Sequence, residues 1–141
     1  MEKRLLDLSA YRLEKAADEL DTADLMFKNN KLSQSINRSY YSMFHAVRAL
    51  LALSVLDSKK HTGVISFFNK HYIKPGKIEP EYSKMLSNAF DIRNDSDYDD
   101  FYIASREDAG IQMENAKKFL KRIREYIDTV INKEKTGEKQ D

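Results

Sequence analysis

The chain has 141 residues, room for one domain with a real core, and sets 24 Lys and Arg against 23 Asp and Glu for a net charge of +1. That surplus gives no general footprint for nucleic acid, so any such binding is confined to a local patch. The absence of cysteine excludes disulfides and thiolate zinc sites and fits a reducing, cytoplasmic setting, and 4 Gly with 2 Pro are too few for the hairpins of an all-β protein. An all-α fold is predicted.

The opening residues, MEKRLLDLSAYRLEK, carry charges throughout and do not read as a signal peptide. Ser9 is placed to cap a first helix over 10–29, in which Leu13, Ala16, Ala17, Leu20, Ala23 and Phe27 form an apolar stripe. Asn29 and Asn30 end it, and a short link leads into the most apolar stretch, SINRSYYSMFHAVRALLALS at 35–54, read as a central, mostly buried helix. The two helices are expected to pack as an antiparallel hairpin. Ile36, Tyr40, Met43, Phe44, Val47, Leu50 and Leu51 make one wide apolar face of the central helix, and a narrow polar stripe runs through Arg38, Ser42, His45 and Arg48. His45 and Arg48 also break the longest apolar run, which is too short to cross a membrane.

After a polar break at 57–60, Val64, Ile65, Phe68 and Tyr72 mark a shorter helix from Thr62, stopped by Pro75 and Gly76. Pro80 opens a fourth helix through Tyr82, Leu86, Ala89 and Phe90. The next residue on that stripe is Arg93, a charge where an apolar side chain is called for, so it faces an interface or is paired, for instance with Asp97. DSDYDDFY at 95–102 is read as an ordered loop, Ser105 as the cap of a long last helix with a basic outer face, and 133–141 as a disordered polar tail after a single domain at 1–132.

Histidines occur only at 45, 61 and 71, without a zinc-binding spacing. Asp95, Asp97 and Asp99 imitate the start of a calcium loop, but its sixth position is Asp100 rather than Gly and its twelfth is Arg106 rather than Glu. No phosphate-cradling glycine loop is present. No metal or cofactor is expected. The features left to carry chemistry are the polar stripe of the central helix, with Arg38, Ser42 and His45, and Arg93 with the polar segment after it.

The runs NRSYYSMFHAVRALL at 37–51, KHTGVI at 60–65 and RNDSDY at 93–98, in that order, resemble the HEPN domain in its small stand-alone branch. The resemblance implies an up-and-down bundle of about five helices, usually a two-fold dimer. It also implies a toxin-like role, with RNA cleavage or RNA or nucleotide binding beside a minimal nucleotidyltransferase partner. Active HEPN ribonucleases carry an arginine followed after four to six residues by a histidine. Arg93 matches the arginine, and Tyr98 stands where the histidine would. Because an ordinary tyrosine is a poor base at neutral pH, the expectation is a binding protein whose nuclease activity is weak or lost. Arg38, Ser42, His61, Arg93 and Asn94 are the binding candidates. Arg93, Tyr98 and His45 are the catalytic ones, and an active metal-independent ribonuclease or a purely structural bundle are the alternatives. An active enzyme would need His45 or His61 as its base. Tyr98 and Tyr102 are also candidate acceptors of a nucleotidyl group.

Overall fold

The computed structural model describes residues 1–137, which form five α-helices: α1 at Lys3–Lys28, α2 at Leu32–Leu53, α3 at His61–Phe68, α4 at Pro80–Tyr98 and α5 at Arg106–Thr136. The all-α bundle is as expected. Among the described residues no helix is long and apolar enough to cross a membrane.

The frame is the α1–α2 hairpin, and its register is set by serines. Ser9 Oγ donates to the Ala49 carbonyl at 2.8 Å, Ser42 Oγ to Ala16 at 2.8 Å, and Ser35 Oγ to Ala23 at 2.9 Å. The contacts recur every seven residues on both antiparallel helices, and all six residues are buried. Small side chains here let the backbones approach closely, and each hydroxyl finds the partner its burial demands.

Two expectations are thereby corrected. Ser9 is not a cap, because α1 starts at Lys3 and the hydroxyl is spent across the seam. Ser42 is not on the polar stripe, because it faces α1. Between Ser35 and Ala52 only Asn37, Arg38, Tyr41, His45 and Arg48 of α2 reach solvent. The other residues of that stretch are core, against α1, α4 and α5.

Both hairpin helices end in the same hydrogen-bond pattern. After α1, Asn30 takes φ 60°, with Lys31 N donating to Met26 O and Asn30 N to Phe27 O. After α2, Val55 takes φ 57°, with Leu56 N donating to Leu51 O and Val55 N to Ala52 O. Asparagine tolerates the left-handed region, whereas a β-branched, exposed valine is strained there. Val55→Gly is therefore expected to stabilise the fold by about 1 kcal/mol, read by urea unfolding. An unchanged or lower midpoint would show that Val55 is not strained.

The third helix is shorter than expected. It passes after Phe68 into a π-helical turn at Asn69–Ile73, closed by Lys74 N donating to Asn69 O at 2.8 Å. The fourth helix is longer. It continues to Tyr98, absorbing half of the acidic stretch assigned to a loop, because Arg93 pairs with Asp97 one turn on and Asn37 of α2 donates to the same carboxylate. Ser105 caps α5 as expected, its Oγ accepting from Asp108 N at 3.0 Å. That helix has acids in its first turn and lysines in its last, in line with its dipole, and it runs through Thr136 rather than ending before 133. The rest of the expected tail, 138–141, lies outside the described residues.

Candidate functional site

Where α2 meets the end of α4 and the start of α3, a group of aromatic rings holds two arginines. Tyr40 is wholly buried, its ring 5.8 Å from that of Phe90 and 6.0 Å from that of Phe44. Tyr41, one step round α2, is partly exposed and lies under both guanidiniums: Arg38 is 5.1 Å and Arg93 5.3 Å from its ring centre. The two cations are thus brought to one ring although 55 positions separate them in the sequence.

Each guanidinium is also fixed by hydrogen bonds. Arg93 Nη2 donates to the Tyr41 hydroxyl at 3.0 Å and Nη1 to Asn94 Oδ1 at 3.2 Å. Its Nε lies 3.0 Å from Asp97 Oδ2, but the N–H is not aimed at that oxygen, so the contact is an ion pair without a hydrogen bond. Arg38 pairs with Glu19 of α1 at 2.8 Å and donates to Asn37 Oδ1 at 2.5 Å. Tyr98 stands over the group, 75% exposed, its ring 6.0 Å from Arg93. Arg93, Asn94, Tyr98 and Arg38 are therefore brought together around Tyr41.

His61, at the first position of α3, joins from the other side. Its ring stacks on Phe44 at 4.3 Å and its Nδ1 is 2.7 Å from the Tyr40 hydroxyl. Burial lowers its pKa from the ordinary value of histidine, and the Arg93 charge lowers it further, so the ring is neutral near pH 7. The same burial pushes the Tyr40 phenol up, which keeps its hydroxyl protonated.

His45 lies along α2 on the other side of Tyr41, with ring centres 6.0 Å apart. Its burial, with the charges of Lys15, Arg48, Arg38 and Arg12 around it, lowers its pKa to about 4. A base this weak takes little part in proton exchange at neutral pH, and His45 sits among cations of both α1 and α2 that disfavour its protonated form. Ser42 is excluded by its burial in the α1–α2 seam. The residues that sequence reasoning left out of the site are Tyr41, Asn37 and Asp97. The one signal for Tyr41 is its place one turn from both Arg38 and His45 on the line of α2 that reaches solvent.

Comparison with known proteins places the whole bundle in one family. The profile of the HEPN domain family matches residues 9–126. A UPF0332 protein of Thermotoga maritima is 34% identical over 118 residues, covering 84% of this chain and 89% of its own length. One from Pyrococcus horikoshii is 49% identical over 72 residues, 51% of each chain. A protein of Methanocaldococcus jannaschii named a putative toxin is 30% identical over 82% of this chain and 78% of its own.

Proposed function

Since the chain belongs to the HEPN domain family, we propose that it is a toxin-like protein that binds RNA or nucleotide at Arg93. On this reading it acts as a homodimer with a minimal nucleotidyltransferase partner, and its nuclease activity is weak or lost. The observation that carries the reading is the pair of guanidiniums over the Tyr41 ring. Arg93 offers both terminal nitrogens to neutral oxygens, a phenol and an amide, and a phosphate oxygen is the stronger acceptor for either. Tyr98 has the exposure to stack on a base, which a sequence-tolerant RNA site uses. The relatives named putative toxin support the toxin-like part of the reading.

The acids at 95, 97, 99 and 100 oppose a polyanion, so the fit is to a short single strand or a nucleotide whose phosphates enter over Tyr41 and Arg38 rather than over those acids. In a melting experiment, short single-stranded RNA or a nucleotide is expected to raise the transition of the wild-type protein. No shift with either would contradict the reading. A nucleotidyltransferase partner would act on Tyr98 before Tyr102, since burial and the charges of Asp108 and Asp95 push the Tyr102 phenol up. Mass spectrometry after co-expression is expected to place any added nucleotidyl group on Tyr98, and its appearance on Tyr102 alone would contradict this order.

The second reading, an active metal-independent ribonuclease, is favoured by His61. A neutral imidazole fixed beside Arg93 has the protonation state a general base needs. On that reading His61→Ala removes cleavage of an RNA pool, and retained cleavage would count against it.

A further inference from the structure

The line of α2 that reaches solvent does not end at the aromatic site. Beyond Arg38 and Tyr41 it continues through His45 to Arg48, in steps of three and four residues that keep all four on one face. The neighbouring side of α1 is cationic as well. Arg12 donates to the Arg48 carbonyl at 3.0 Å, and the charge of Lys15 reaches His45 together with those of Arg48, Arg38 and Arg12. Acids do not balance this line. Arg38 has Glu19 and Arg93 has Asp97, but Arg12 and Arg48 share the single carboxylate of Asp57. Among the described residues Lys15 has no acidic partner. These five cations thus meet three acids, an excess of two positive charges on a chain whose net charge is +1.

Aromatic rings punctuate the same line. Tyr41 lies under Arg38 and Arg93, and Tyr11, 58% exposed, has the Lys15 amine 5.6 Å from its ring centre. Local positive charge with rings spaced along it suits a single strand, because phosphates meet the cations while bases stack on the rings without regard to sequence. From Arg38 to Arg48 the line is about 15 Å long at 1.5 Å per residue, room for about four phosphates at the 3.4 Å rise of a stacked strand. A mononucleotide fills only the end at Tyr41. We infer that a single-stranded RNA held at Arg93 runs on along α2, over His45, to a second phosphate-binding position formed by Lys15 and Arg48, with Tyr11 as a further stacking surface. The acids that end α4 lie at the Asn37 end of α2, where Asn37 donates to Asp97, so this path leads away from them. The inference rests on the RNA-binding reading above and narrows its ligand from a nucleotide to a strand of several residues.

The experiment is the affinity of the full chain for a labelled RNA dinucleotide and a labelled RNA hexanucleotide, compared among the wild type, Lys15→Gln, Tyr11→Ala and Lys121→Gln. The last removes the same charge from the outer face of α5. All three positions are exposed, and melting curves establish that each variant is folded. The hexanucleotide is expected to bind the wild type at least about tenfold more tightly than the dinucleotide. Lys15→Gln and Tyr11→Ala are each expected to weaken the hexanucleotide about fivefold and to leave the dinucleotide unchanged. Lys15→Gln also lowers the slope of log affinity against log salt by about 0.7, the share of one phosphate contact, whereas Lys121→Gln changes neither quantity. A hexanucleotide that Lys15→Gln weakens no more than Lys121→Gln does overturns the path. Dinucleotide binding that still depends on Arg93 then leaves the RNA reading standing. A wild type that binds neither RNA overturns both, and leaves the cationic line to an acidic protein.

Discussion

Replacing Ser42 with leucine is expected to lower stability by about 2–4 kcal/mol, which for a chain of this length is a fall of roughly 5–15 °C in melting temperature. Ser42 is wholly buried in the α1–α2 seam, and its hydroxyl is bonded to Ala16 O at 2.8 Å. A leucine there must push the helices apart or leave its rotamer, and the same displacement would strain the contacts at Ser9 and Ser35 seven residues away on either side. Ser42→Ala leaves the spacing intact and loses only the hydrogen bond, about 1 kcal/mol. Equal melting temperatures for the two variants would show that the seam is loose enough to yield.

Tyr40→Ala is expected to cost about 3–5 kcal/mol, since a wholly buried ring packed on Phe44, Phe90 and His61 is removed. Arg93 also lies over this ring at 5.8 Å, so the variant loosens the site as well as the core. Tyr40→Phe separates the two effects. The ring stays, His61 Nδ1 loses its partner, and the cost falls to about 0.5–1.5 kcal/mol. Chemical denaturation of both variants measures the difference. A Tyr40→Phe variant as unstable as Tyr40→Ala would mean that the hydrogen bond to His61, rather than the packing, holds this corner together.

Much of the architecture is legible in the sequence because periodicity reports burial directly. The stripe Leu13, Ala16, Leu20, Ala23 and the wide apolar face of α2 both meet the core. Caps and helix ends are less legible, because a serine before a helical pattern and a serine inside a tight seam look alike. Ser105 is the first kind and Ser9 the second, and only the partner helix distinguishes them. The end of α4 was hidden for a related reason. Asp95 and Asp97 disfavour a helix C-terminus taken alone, whereas Arg93 and Asn37 supply Asp97 with partners from two helices.

The site was half legible. Arg93 was conspicuous as a charge on an apolar stripe, and its pairing with Asp97 and its position beside Tyr98 follow from helical spacing. The meeting of Arg38 and Arg93 over Tyr41 depends on how α4 crosses α2, which no local pattern encodes. His45 and His61 show the same limit from the other side. Two histidines of equal interest in the sequence are separated by their surroundings, one among four cations and one bonded to Tyr40 beside Arg93.

The most direct measurement is the affinity of a short, labelled single-stranded RNA for the wild type, Arg93→Ala and Arg38→Ala, each over a series of salt concentrations. If the two guanidiniums over Tyr41 hold phosphate, Arg93→Ala weakens binding at least about tenfold, Arg38→Ala weakens it less, and both flatten the dependence on salt. Wild-type binding that neither substitution changes would place the RNA elsewhere and contradict the account.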